Sequence, residues 1–330
     1  FQLRPQTPWA AQAVFEIEAA EEDWDAALKT LDKVVSAKLI PRDDARRRRA
    51  VLLTAQAMTA AEAARGQAGE AKHSALEKAG KLASEAASLE PHFVPAVALA
   101  AHLAAETNHQ RKGMKFIEEA WKATPHPDLA DVWLDMIDGE SGYDRAVRAQ
   151  TLAARNPDHV ESHILVARGA IGARDWAAAR TALASYAGPA ATEAPSQRVC
   201  ELMAEIEEGE FGDRGAARSW LSRALHAPED PQWTGTGYRS HRWSPINPVT
   251  GEFDGLTWTA PVASIAQEET AAAPAPPSGP SSEDEVLPPT GQITEAEELR
   301  PGEVLAFRPP LPDDPGPDED ADEAQGEKKW

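Results

Sequence analysis

The stretches 79-AGKLASEAASLEP-91 and 113-GMKFIEEAWKATP-125 share one skeleton, thirty-four residues apart: a small residue, six others, a second small residue, four others, then proline. Ala79, Ala86 and Pro91 are answered by Gly113, Ala120 and Pro125. Seven residues are about two helical turns, so both small residues lie on one face and let a neighbouring helix come close. The proline, lacking a backbone N–H, ends the helix. The pattern predicts the second helix of a helical hairpin, repeated along the chain.

Further copies extend in both directions. Asp23-Trp24-Asp25-Ala26-Ala27-Leu28 and Asp175-Trp176-Ala177-Ala178-Ala179-Arg180 each open a second helix, with Leu31 and Leu183 on the following turn. Ala146 and Ala153 precede Pro157, and Ala217 and Ala224 precede Pro228. Six hairpins follow, at about 8–38, 42–90, 93–125, 128–156, 159–187 and 195–227. The second has a long first helix, from about Asp43 to Ala64, and a Gly-containing joint, 66-GQAGEA-71. A period of 34 is that of tetratricopeptide repeats. The expected fold is all-α: a TPR-like right-handed α-solenoid over 1–228, in which stacked neighbours bury the apolar stripe that a lone hairpin cannot. Its concave groove is expected to hold proteins or peptide segments.

Composition agrees with packed helices, being rich in alanine and poor in aromatics apart from ten tryptophans. The net charge of −21 is uneven: Ala263–Trp330 carries −13 and 12 of the 27 prolines. A segment so acidic and so poor in large apolar residues reads as a disordered tail. The charge argues against nucleic acid as a partner. Within the tail, 293-ITEAEELRPGEVLAFRPPLP-312 contains an apolar island, Val304, Leu305 and Phe307, read as a docking element. No window is apolar enough to cross a bilayer. The chain starts at Phe1 with no signal pattern, and is read as a fragment lacking its true N-terminus.

After the last hairpin comes 230-DPQWTGTGYRSHRWSPINPVTGEFDGLTWTAPV-262. Its tryptophans, Pro248 and the Phe253-Asp254 pair are spaced as in a rubredoxin-type zinc knuckle, but Thr234, Gly237, Asn247 and Thr250 stand at or near the places of the four thiolates. No metal is expected. Residues 229–262 are read as a degenerate, metal-free cap whose Trp233, Trp243, Phe253 and Trp258 cover the exposed end of the last helical pair.

The strings 8-PWAAQAVFEIEAAEEDWDAALKTL-31 and 243-WSPINPVTGEFDGLTW-258 resemble the alphaproteobacterial HemY-like proteins, named for an association with heme biosynthesis, over about residues 5–262; 309-PPLPDDPGP-317 adds to the likeness. The resemblance implies two membrane helices before Phe1, placing the repeats on the cytoplasmic face of the inner membrane. It further implies a non-catalytic scaffold holding partners near the bilayer, among them ferrochelatase or neighbouring heme enzymes. A heme or porphyrin carrier, and an adaptor for envelope assembly of the lipopolysaccharide type, are the alternative readings.

Candidate residues follow. His92, His102 and His109, in the third hairpin, are the possible axial ligands if heme binds, though no cofactor is expected. His159 and His163, four apart, share a helix face and could hold a metal, but no acidic motif accompanies them, and an ordinary amphipathic helix explains the spacing. Arg46, Arg47, Arg48 and Arg49 cover most of a helix circumference, so some must face solvent or a partner; the tail or an acidic partner is the favoured contact. The single cysteine, Cys200, lies in a helix pattern that buries it. No nucleotide-binding loop, nucleophile elbow or dinucleotide fingerprint occurs, and the protein is expected not to be an enzyme.

Overall fold

The computed structural model describes residues 8–189 and 191–260, all within one compact unit. The described chain is mostly helical: α1 (Pro8–Ala20), α2 (Trp24–Ser36), α3 (Arg42–Arg65), α4 (Gly69–Leu89), α5 (Val94–Glu106), α6 (Gln110–Trp121), α7 (Pro127–Leu134), α8 (Gly142–Ala153), α9 (Val160–Gly172), α10 (Trp176–Ala182), α11 (Ala184–Ala187), α12 (Gln197–Phe211) and α13 (Arg214–Ala224). Three short strands follow, β1 (Gln232–Gly235), β2 (Tyr238–Ser240) and β3 (Thr257–Thr259), antiparallel in the order β2-β1-β3. The helices fall into the six predicted pairs. The expected all-α class is correct for the bulk of the chain, and the sheet is the addition. The tail from Ala263, with Val304, Leu305 and Phe307, lies outside the described residues.

Local chemistry sets the pair boundaries. Asp23, Asp175 and Asp213 cap α2, α10 and α13, their carboxylates accepting from Ala26 N, Ala178 N, and Gly215 N with Ala216 N. The residue before each cap is left-handed: Glu22 (φ 58°), Arg174 (φ 59°) and Gly212 (φ 65°), with Asn108 (φ 62°) before the cap position of α6. One turn type therefore recurs in four pairs, reversing the chain in two residues.

Small residues let the paired helices touch. Ala79, Ala83 and Ala86 are fully buried on α4, as is Ala120 on α6. A Cβ on Gly113 would sit 3.0 Å from Ala101 O, and one on Gly169 would sit 2.8 Å from the Ala149 Cβ, so α5–α6 and α8–α9 pack at backbone distance. Beyond the pairs, α3, α5, α7, α9 and α12 contact one another in sequence order, forming a row of first helices.

Two details depart from the sequence reading. The joint after α3 is only Gly66–Ala68, because α4 begins at Gly69. The second helix of the fifth pair breaks at the buried Leu183 into α10 and α11.

The larger correction concerns the cap. Residues 232–260 do not cover α12 and α13. Trp233, Trp243 and Leu256 join the core formed by α3 to α9, beside Phe93, Leu129 and Ala130. The cause lies in the connecting segment. Asp230 accepts hydrogen bonds from Arg198 N and Ser196 Oγ, both 2.8 Å, and Gln197 N donates to Pro228 O at 3.2 Å. Pinned to the N-terminus of α12, the chain turns back along the first-helix row, where aromatic side chains await it.

Candidate functional site

The side of the molecule built by the first helices and the β-module concentrates the unusual chemistry. Phe253 meets Phe15 of α1 edge-on with ring centroids 5.0 Å apart, and Trp243 meets Phe93, at the head of α5, at 5.1 Å. His126, the N-cap of α7, lies between Trp258 and Trp233, with centroids at 4.1 and 5.6 Å. With Arg47 of α3, which holds Asp254, the module touches four successive pairs.

Its loop closes without thiolates. Asn247, fully buried, accepts at Oδ1 from Val249 N (2.9 Å) and Thr250 N (3.4 Å), and its Nδ2 donates to Thr236 O (3.1 Å) on the other hairpin. A side-chain amide so placed both ties its own turn and braces the second one, the service a shared metal ion would otherwise provide.

The four arginines find partners inside the molecule. Arg47 is bidentate to Asp254, both contacts at 2.8 Å, with its guanidinium 4.0 Å from the Phe93 ring centroid. Arg46 pairs with Glu90 (2.5 Å) and Asp43 (3.6 Å), Arg48 donates to Gln12 (2.6 Å) and lies over Phe15, and Arg49 pairs with Asp32. The expected contact with the tail lies outside the described residues; within them, Arg47 is the latch that holds the β-module to α3. Beside it an open cavity of about 580 Å³ is lined by Gln12, Phe15, Arg48, Glu252 and Phe253 among others.

The candidate histidines are scattered. His92, His102 and His109 are all exposed. His102 lines a cavity with Glu106, Asp131, Asp135 and Asp138, whereas His109 lines another with Lys81 and Lys112. His159 and His163 do not converge: His159 Nδ1 caps α9 by accepting from Glu161 N, and His163 Nδ1 lies 3.1 Å from Ala182 O, with its ring against Tyr186. Among the described residues no group of three or more His, Cys, Asp or Glu side chains could hold a metal. Cys200 is buried, and burial pushes its thiol above the ordinary range.

The polar centre that the sequence reading missed lies where α7, α9 and α12 meet the sheet. His126 is 1 % exposed; its Nδ1 accepts from Asp128 N (3.1 Å), leaving Nε2 buried without a hydrogen-bond partner and the ring against the tryptophans. Glu161, also buried, takes a bidentate pair from Arg198 at 2.9 and 2.8 Å. The signal present in the sequence was 125-PHP-127, a potential cap followed by proline at the first helical position.

Burial, with a smaller push from Arg198, lowers the His126 pKa to about 3. Burial raises that of Asp128 to about 6; the Trp233 indole N–H opposes this in part, facing the carboxyl without closing a hydrogen bond, and Asp131 and Glu161 add to the rise. The two groups act on stability with opposite signs. A raised carboxyl pKa gives stability that is complete below the unfolded value and lost as pH rises through about 6. A depressed imidazole pKa gives stability that is complete above about 6.5 and lost as pH falls toward 3. Asp128→Asn is therefore expected to raise the urea midpoint at pH 7.5, with the gain vanishing by pH 4. Below pH 6.5 the variant should lose stability more steeply than the parent, because the His126 slope is no longer offset. A gain of equal size at both ends of the range would contradict this assignment.

Over the described residues these features define a mostly helical protein with six successive helix pairs and a small three-stranded module folded back onto the first helices. Its sequence is 28% identical over 215 residues to the probable magnetosome protein Mms48 of Magnetospirillum gryphiswaldense. That similarity covers 64% of this chain and 46% of the relative, so the chain spans about half of that protein. No family model matches. No described helix is long and apolar enough to cross a membrane.

Proposed function

We propose that the chain is a non-catalytic scaffold of the TPR type, a right-handed α-solenoid whose first-helix side binds protein segments. The observation carrying this reading is that the row already grips polypeptide in cis. Residues 230–258 lie against α1, α3, α5 and α7 through Phe15, Arg47, Phe93 and His126, a mix of aromatic anchors and a forked cation that suits protein recognition. Beside the bound module, the cavity at Gln12, Arg48 and Glu252 remains open for a partner segment.

Late heme-biosynthesis enzymes, ferrochelatase among them, are the partners we propose from the HemY-like resemblance, with a membrane tether outside this sequence. The porphyrin-carrier reading is weaker on physical grounds. Its histidines are solvent-exposed, and the carboxylates around His102 would repel heme propionates; only His109, beside Lys81 and Lys112, has the basic setting that reading needs.

The test is cross-linking affinity purification of the tagged full-length protein from native membranes, with Arg48→Glu and a deletion of Ala263–Trp330 run alongside. Recovery of ferrochelatase, lost in Arg48→Glu, supports the scaffold at this cavity. Loss only in the deletion assigns the contact to the tail instead. Recovery of envelope-assembly proteins in place of heme enzymes would move the scaffold to the adaptor reading.

A further inference from the structure

Two of the described helices, α1 and α13, each carry an outward apolar stripe. On α1, Trp9, Ala13 and Ile17 are spaced four apart and form one outward stripe, with Trp9 66 % and Ile17 58 % exposed. Glu16 borders the stripe, Glu21 and Glu22 follow it, and no lysine or arginine occurs from Pro5 to Leu28. On α13, Arg214, Arg218, Leu221 and Leu225 recur at intervals of four, three and four, again one stripe. Leu221 is 48 % and Leu225 82 % exposed. No acidic residue occurs from Arg214 to Pro228; Arg214 lies 3.7 Å from the exposed Glu208, and Arg218 has no carboxylate partner among the described residues.

An exposed apolar stripe bordered by charge of one sign suits a surface of the opposite sign. Here the β-module, which could have covered α13, is seated on α1, α3, α5 and α7. The α13 stripe is bordered by basic residues, the α1 stripe by acidic ones. Two like stripes would repel, whereas unlike stripes match in both hydrophobicity and charge.

We propose that α13 of one copy docks on α1 of a second copy. The contact joins different surfaces, so each added copy presents a fresh end, and the assembly grows into an open chain or a ring. Arg214 and Arg218 would face Glu16, Glu21 and Glu22 around the Leu221, Leu225, Trp9 and Ile17 contact.

Sedimentation velocity of the full-length chain tests this. The sedimentation coefficient should rise with protein concentration and fall with added salt as the charges are screened. Leu221→Asp/Leu225→Asp and Trp9→Asp/Ile17→Asp should each sediment as monomers while keeping the parent's helical circular dichroism, since all four side chains are exposed. An equimolar mixture of the two variants should form a dimer and nothing larger, because only one productive pair of faces survives. Self-association of either variant alone would overturn the proposal by making the contact isologous. A parent chain monomeric at every concentration would also overturn it, and protection of the α13 amides in that chain by the acidic segment 263–330 would identify the tail as the occupant.

Discussion

Trp243→Ala is expected to destabilise the protein by about 3–5 kcal/mol, the cost of emptying a buried tryptophan site whose walls relax only in part. Trp243 is almost fully buried, sits edge-on to Phe93, and belongs to the same core as residues of α3 to α9. Its loss should therefore be felt far from its place in the chain. Amide exchange should accelerate at the start of α5 and along the α3 face that carries Arg47, because the module that covers them is released. Protection of α12 and α13 should change little. An end cap would give the reverse distribution, so exchange confined to 197–224 would reject the placement described above. Phe93 also carries the Arg47 guanidinium, so the aromatic pair and the Asp254 latch should weaken together.

Arg198→Ala should be comparably severe. It strands Glu161, a buried carboxylate that accepts two hydrogen bonds from this guanidinium, and breaking one partner of a buried pair costs about 3–5 kcal/mol. The pair joins α9 to α12, so it helps hold the fifth and sixth helical pairs to each other. Adding Glu161→Gln to Arg198→Ala should recover a large part of the loss, since the remaining group is neutral and buried at lower cost. Urea denaturation of the three variants decides the matter. A double variant as unstable as Arg198→Ala would mean that the arginine acts through its stem packing rather than through the buried charge.

Both sites depend on contacts between residues far apart in the chain, unlike the helix boundaries. The boundaries of α2, α10 and α13 could be read because an aspartate cap and a left-handed residue act within three or four positions of each other. The close approach at Gly113 was equally legible, as a missing side chain at helical spacing leaves its mark in the sequence. The arginine run was legible as helical, with some of its members facing solvent or a partner, but the particular partners were not. Asp254 lies 207 positions from Arg47, and nothing in either neighbourhood specifies the other.

His126 illustrates the same limit in a site. Its sequence setting, between two prolines, announces a helix start. Its buried position between two tryptophans depends on the return of a segment more than a hundred residues later, which no local pattern encodes. The exposed His92, His102 and His109 drew attention because they cluster in sequence, whereas in space they serve different surfaces.

By itself the sequence determined the helical pairs, their caps, their small-residue contacts and the absence of thiolates from the knuckle, because each is set by forces acting over a few residues: backbone hydrogen bonding, side-chain periodicity and the availability of ligand atoms. Only the tertiary structure decided that the β-module turns back along the first helices, that Arg47 latches it there, and that α1 and α13 each expose an apolar stripe. Those outcomes depend on which distant surfaces bury most when brought together. That is a property of the assembled chain and not of any stretch within it.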